Sequence, residues 1–136
     1  MGFPNRINSV ILIGFTIFFS CNINQDKKIV SNDIELASDT IKFNKLGFND
    51  TLYSFVFLRN KTENIVKIIR IENACGCTSG FLNDSIIRPN DSLKVNIRYV
   101  PKYSNDKGKV LKFLSIRLDN ESIPFKNIIL KGEITN

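Results

Sequence analysis

The chain of 136 residues contains no histidine. Without an imidazole, no Ser-His or Cys-His pair can activate a nucleophile, and no histidine-ligated zinc or iron site can form. No other residues form a recognisable catalytic constellation, so the sequence predicts a protein that is not an enzyme. Because zinc prefers four ligands that this chain cannot supply alone, we also expect no bound metal, and we expect no cofactor.

The sequence also lacks an apolar run long enough to span a bilayer, which takes about 20 residues as a helix. The run over residues 10–19 (VILIGFTIFF) falls short of that length and follows a start that carries Arg6. This arrangement is typical of a secretory signal peptide. We therefore expect residues 1–20 to be removed during export.

Cys21 follows the small residue Ser20 directly after this apolar run. The position resembles the cleavage box of bacterial lipoproteins, in which the cysteine receives a lipid and the peptide is cut before it. The resemblance predicts lipid on Cys21, a polar tether over residues 21–39, and a protein anchored in the cell envelope, at its periplasmic face or the cell surface. The alternative is ordinary secretion with Cys21 left as a free thiol.

No strong cluster of one charge is present either. The formal net charge is +6, but the lysines are scattered and many alternate with apolar residues, which is typical of a solvated sheet face. The sequence shows no platform of aromatic and arginine side chains of the kind that binds single-stranded nucleic acid. We therefore expect no nucleic-acid partner.

Residues 40–136 alternate between apolar and polar side chains and show no sustained helical face. Turn signals separate the apolar segments at the spacing of a β-sandwich, which predicts an all-β domain of about seven antiparallel strands in two stacked sheets. Residues 52–58 are apolar on both sides, which favours a central strand that is covered on both faces. The residues expected in the core are Phe55, Phe57, Ile97 and Ile116.

Three groups of residues carry a resemblance to a known family: the sequence Ala74-Cys75-Gly76-Cys77-Thr78, the trio Phe55, Phe57 and Asn60, and the closing Leu130-Lys131-Gly132-Glu133-Ile134. From about Thr40 onward, the chain resembles the bacterial immunoglobulin-like family called domain of unknown function 1573. The resemblance implies an immunoglobulin-like β-sandwich, and often a lipoprotein or exported protein of a Gram-negative bacterium. It implies no established activity, although similar modules serve as binding scaffolds in ciliary and centrosomal proteins.

Cys75 and Cys77 are separated by a single glycine, and the sequence leaves four interpretations open. The two side chains could fill the end of the core, with Gly76 allowing unusual backbone angles. They could form a disulfide, whose redox use would need a nearby positive charge such as Lys67 or Arg70. They could bind Cu(I) as two soft ligands, or one could act as a nucleophile, which lacks a histidine base here.

The leading hypothesis is a membrane-anchored lipoprotein whose immunoglobulin-like domain is a non-enzymatic binding or structural module of the cell envelope. Its expected contacts are the membrane, through lipid on Cys21, and an envelope protein partner that meets a sheet edge or loop end. The alternative is a thiol-redox or Cu(I)-carrier protein that uses Cys75 and Cys77. We also expect Gly76 and Gly132 to serve backbone geometry.

Overall fold

The structure is a computed structural model that describes residues 1–2, 33–102 and 106–136. The expected signal peptide, Cys21 and most of the expected tether lie outside the described residues. Within the described ranges, no helix has the length and apolar character needed to cross a membrane.

Nine β-strands make up the described part of the chain. They are β1 (Ile34–Leu36), β2 (Thr40–Gly47), β3 (Leu52–Asn60), β4 (Val66–Asn73), β5 (Thr78–Leu82), β6 (Ile86–Ile87), β7 (Ser92–Tyr99), β8 (Gly108–Leu118) and β9 (Phe125–Thr135). A four-stranded sheet has the order β1-β3-β7-β5, and a five-stranded sheet has the order β2-β9-β8-β4-β6. The two sheets stack as a sandwich, which confirms the predicted all-β class.

Neighbouring strands pair antiparallel except for β2 and β9, which run parallel. The sequence predicted seven strands, and two differences account for the nine. Residues 78–87 contain two short strands, β5 and β6, which belong to different sheets. The other additional strand, β1, lies inside the segment that was expected to be a tether.

The position of β1 corrects the predicted domain boundary. Ile34 is fully buried in the core, and β1 pairs with β3 through Leu36 opposite Leu58. The segment around it is polar, so one buried isoleucine was too weak a signal to mark a strand. The sandwich therefore begins near Ile34 rather than at Thr40.

The core lies between the sheets and is almost entirely aliphatic. Ile97 and Ile116 are buried there as predicted, together with Val95, Leu114 and Leu130. β-branched residues at alternate positions favour these extended segments, because their side chains pack well on a pleated surface.

Phe55 and Phe57 are not in the core, and the prediction for them is wrong. On β3 the buried side is formed by Val56, Leu58 and Asn60, whereas Phe55 and Phe57 point out of the sandwich. The strand is central in its sheet, with β1 and β7 beside it, but the described residues cover only one of its two faces. A strand that is apolar on both sides thus does not require two covering layers.

Tyr99 is the large polar side chain of this core. It is fully buried, its ring centroid lies 6.1 Å from that of Phe43, and within the described residues its hydroxyl has no hydrogen-bond partner. Burial, aided by the nearby negative charge of Asp106, raises the pKa of the Tyr99 phenol to about 12. Asp106 is itself buried and pairs with Lys112.

Asn60 closes the inner face of β3 with a network of hydrogen bonds. Its Nδ2 donates to the carbonyl oxygens of Asn64, at 2.7 Å, and of Ile87, at 3.0 Å. Its Oδ1 accepts from the backbone N–H and the hydroxyl of Thr62, at 2.9 and 2.7 Å. This fully buried side chain therefore ties the loop after β3 to strand β6.

The two glycines predicted to serve backbone geometry behave differently. A β-carbon on Gly132 would come within 2.5 Å of the carbonyl oxygen of Phe43, so β9 needs glycine where β2 bulges over it. A β-carbon on Gly76 would meet nothing within 4 Å. Gly76 also lacks a positive φ, which Gly108 does have at 81°. The backbone role is thus supported for Gly132 and not for Gly76.

Candidate binding face and disulfide turn

The outer side of the four-stranded sheet carries four exposed aromatic side chains. Tyr53, Phe55 and Phe57 project from β3 with 73%, 50% and 43% of their surface exposed, and Phe81 projects from β5 with 52% exposed. We call these four residues the aromatic face. Alternation along β3 places its three members on one side, because successive side chains point to opposite faces of a strand.

Strand β7 runs between β3 and β5 and completes this surface. Arg98 lies opposite Tyr53, and Lys94 lies opposite Phe57. Asn96 lies opposite both Phe55, on β3, and Phe81, on β5, so these three residues form one row across the sheet. The register therefore alternates aromatic residues with cationic or amide side chains.

Close contacts organise the centre of the aromatic face. The rings of Phe55 and Phe57 meet edge to face with centroids 5.5 Å apart, an arrangement that aromatic quadrupoles favour. The Lys94 ammonium lies 4.2 Å from the centroid of Phe55, within the range of a cation–π contact. One face of the Phe55 ring is therefore covered by a charged side chain.

The charge around the aromatic face is positive. Lys94 and Arg98 lie within it, and Arg59 extends the outer row of β3. The acidic residue beside Arg59 is Glu35, which pairs with Lys61 at 2.5 Å. The hydrogen bond and charge of Lys61 lower the pKa of Glu35, so this carboxylate stays ionised and largely neutralised by its partner. A negatively charged ligand would meet a favourable potential here.

The two cysteines lie in the turn that joins β4 to β5, and they are bonded in a disulfide with their Cα atoms 5.2 Å apart. The chain does not run straight through the motif as a strand. Cys77 is buried, and its carbonyl oxygen accepts from the N–H of Val100 at 2.8 Å. Cys75 is half-buried, and its Sγ lies 3.8 Å from the hydroxyl of Thr78.

Of the two positive charges considered for these thiols, one has an acidic partner and the other lies at the opposite end of β4. Arg70 pairs with Glu72, with Nη2 2.6 Å from the carboxylate. Lys67 lies near the start of β4, opposite Ile86, whereas the cysteines follow the end of that strand. Among the described residues, no three side chains of the types that bind metals come together as a metal site.

The family that matches this sandwich is described as protein of unknown function (DUF1573), and the match spans residues 34–134. The chain belongs to the DUF1573 family. The match begins at β1 and ends in β9, and so includes the disulfide turn and the aromatic face. No curated protein sequence matches the chain significantly.

Solved structures show the same fold at low sequence identity. A protein of unknown function from Porphyromonas gingivalis W83 is 18% identical with a TM-score of 0.64, and the alignment covers 74% of this chain and 46% of that one. The seventh PapD-like domain of human CEP192 is 14% identical with a TM-score of 0.61, covering 76% of this chain and 86% of that one. The periplasmic chaperone SfaE is 10% identical with a TM-score of 0.52, covering 76% and 57%. These likenesses show an immunoglobulin-like sandwich and nothing finer.

Sequence reasoning missed the aromatic face. The pattern of the sequence did not indicate it, because β3, β7 and β5 bring the aromatic and cationic side chains together from separate segments. The sequence of β3 did contain a signal, because one side of the strand is aromatic and the other side includes Val56, Leu58 and Asn60. The aliphatic side packs more readily into an aliphatic core, so it was the better choice for the buried face.

Proposed function

We propose that this protein is a lipid-anchored, non-enzymatic binding module of the cell envelope that holds a protein partner on its aromatic face. The observation that carries the proposal is the exposure of Tyr53, Phe55, Phe57 and Phe81 on one side of one sheet. The core of the sandwich is complete without them, since it is formed by the opposite side of the same strands.

The chemistry of these side chains suits a protein interface. Aromatic residues and arginine are enriched in interface cores, where large rigid rings bury much surface at a low entropic cost. Contiguous exposed apolar patches on a soluble domain commonly mark such sites. Nucleic acid is a poorer fit, because Lys94 already covers the face of Phe55 on which a base would stack.

Site-directed cross-linking tests the binding surface. A photoreactive phenylalanine analogue at Phe81 is expected to give a discrete protein adduct in intact cells at native expression. The matched control is Phe113, a phenylalanine of similar exposure on the other sheet, which should give none. Equal adducts from both sites, or none from Phe81, would overturn the proposed binding face.

Lipid on Cys21 is the proposed anchor, and it is tested separately. Two or three acyl chains hold a protein stably at a membrane because each buried methylene contributes about 0.8 kcal/mol. Mass spectrometry of the mature N-terminus should find a diacylglyceryl cysteine, and Cys21→Ser should release the protein from membranes or block its processing. An unmodified N-terminus would contradict the anchor.

A second candidate function is thiol–disulfide exchange at Cys75 and Cys77, and the bonded state of the pair favours it over Cu(I) binding. Sulfur atoms in a disulfide offer no thiolate to a soft metal. A partner thiolate would attack Cys75 Sγ, which is less buried than Cys77, form a mixed disulfide, and release Cys77 as the thiolate. Thiol titration across glutathione buffers should then show reversible reduction. A pair that stays oxidised under physiological reductant would remove this candidate.

A further inference from the structure

Within the described ranges, strand β5 lies at an edge of the four-stranded sheet and pairs on one side only, with β7. The N–H of Val100 donates to the carbonyl of Cys77, so Cys77 and every second residue after it direct their backbone groups toward β7. The N–H and C=O groups of Gly80 and Leu82 therefore point away from β7. Among the described residues, no hydrogen bond outside the strand ladders involves them.

β5 differs from the other edge strands in lacking protection. Proteins shield an exposed edge with charge, proline, a bulge or very short length, because unpaired backbone groups form a template for another strand. β1 has three residues and carries Glu35, β2 carries Lys42 and Lys45 with a register shift between them, and β6 has two residues. β5 reads Thr-Ser-Gly-Phe-Leu, with no charge and no proline.

The edge of β5 is continuous with the aromatic face. A strand laid along it would extend the row formed by Phe55, Asn96 and Phe81, with its outward side chains beside Phe81. Strands in a sheet lie about 4.8 Å apart, so such a strand would be about 10 Å from β7. At that distance the long side chain of Arg98 can reach an acidic group on the added strand, while Lys94, which lies over Phe55, adds to the positive potential of the surface.

The same charges disfavour a second copy of this chain at the edge. Pairing β5 with its own copy would bring together two surfaces that both carry Lys94 and Arg98, and like charges oppose association. A flat ligand that binds by ring stacking is disfavoured because Lys94 already covers Phe55. An extended protein segment needs only backbone groups and small side-chain pockets.

We propose that the partner contributes an extended, acidic segment that adds to the four-stranded sheet as a strand beside β5. Gly80 and Leu82 supply the backbone hydrogen bonds, Phe81 packs against the apolar side chains of the segment, and Lys94 and Arg98 attract its carboxylates. The inference rests on the proposed function, since it names how the partner meets the aromatic face.

Hydrogen exchange of the processed full chain, purified in detergent, tests the inference with two short synthetic peptides. One alternates Glu with Val, and the other alternates Lys with Val. The Glu–Val peptide should slow exchange in Thr78–Leu82 and leave Ile34–Leu36 unchanged, whereas the Lys–Val peptide should slow neither. Equal protection by both peptides, or protection elsewhere than β5, would overturn the proposal.

A pair of leucines offers a matched proline control. Leu82→Pro removes an N–H that points away from β7, and proline is tolerated on an edge strand at such a position. Leu36→Pro is the equivalent change on β1. The N–H of Ala37 donates to the carbonyl oxygen of Phe57 on β3. Because successive N–H groups of a strand point in opposite directions, the N–H of Leu36 points away from β3. We expect Leu82→Pro to abolish peptide protection and Leu36→Pro to preserve it. Loss of protection in both variants would count against a specific role for β5.

The exposed pair Lys94→Glu with Arg98→Glu provides a second variant that should not disturb folding. The double substitution is expected to weaken the binding of the Glu–Val peptide about tenfold or more and to strengthen the binding of the Lys–Val peptide. Unchanged affinities would refute the acidic character of the segment.

Protection of β5 that grows with protein concentration without peptide would show that a second copy occupies the edge. Cross-links from Phe81 without protection of β5 would overturn strand addition alone, while absent cross-links would overturn the proposed function itself.

Discussion

The two sides of strand β3 are both apolar, yet they have opposite fates. Val56 and Leu58 are buried between the sheets, whereas Tyr53, Phe55 and Phe57 are exposed on the aromatic face. The buried side matches the aliphatic core that it enters, and the exposed side consists of large rings beside cationic neighbours. The contrast teaches that apolar character alone does not determine which side of a strand is buried.

The largest expected effect is on the inner side of β3. Leu58→Ala should lower the free energy of unfolding by about 2–5 kcal/mol, because it opens a cavity among fully buried neighbours. Phe57→Ala removes a larger side chain from the outer side and should cost less than about 1 kcal/mol. Denaturant unfolding of both variants measures the difference. Similar losses for the two changes would mean that the faces are not distinct.

Asn60 sharpens the comparison with a polar side chain. Asn60→Ala should cost about 2–3 kcal/mol, because it removes buried hydrogen bonds to the backbone of Thr62, Asn64 and Ile87. Asn96→Ala, on the outer row between Phe55 and Phe81, is the matched control and should cost less than about 1 kcal/mol. Thermal or chemical unfolding tests both, and a small loss for Asn60→Ala would show that water readily replaces its contacts.

The last expected effect concerns Tyr99, on the inner side of β7, and it is confined to alkaline pH. Its folded pKa of about 12 lies above the ordinary value of 10.0, so the folded state favours the protonated phenol. That preference is fully present below about pH 10, and its contribution to stability declines as the pH rises from 10 towards 12. The free energy of unfolding, measured across this pH range, should fall less steeply in Tyr99→Phe than in the unchanged protein. If the free energy of unfolding of the two proteins fell in parallel as the pH rose, another group would be responsible for the loss of stability at alkaline pH.

Much of the architecture could be predicted from sequence, because strong alternation predicts strands wherever one face is buried. The alternation of β7, with Ile97 inward, and the placement of Ile116 in β8 were both confirmed. β1 could not be predicted, since three residues within a polar segment carry too little periodicity. The parallel pairing of β2 with β9 was also missed, because partner choice depends on contacts between distant segments.

The candidate site was less predictable than the fold. Cys75 and Cys77 were identified by their spacing, but the turn that joins their sulfur atoms depends on how the chain passes from one sheet to the other. The aromatic face combines β3, β7 and β5, which are adjacent in space and not in order along the chain. Two of its three cationic residues, Lys94 and Arg98, come from β7, and the sequence of β3 alone does not indicate them.

The parallel ladder between β2 and β9 has a consequence for how the molecule is made. Within the described chain, β2 has no other strand beside it, so it must wait for Phe125–Thr135 before it can be paired. A nascent chain emerging from its amino end therefore holds Thr40–Gly47 without a neighbouring strand until Phe125–Thr135 has been made. Such long-range closure slows folding, and a premature stop before β9 would leave β2 unpaired and β8 with a neighbour on one side alone.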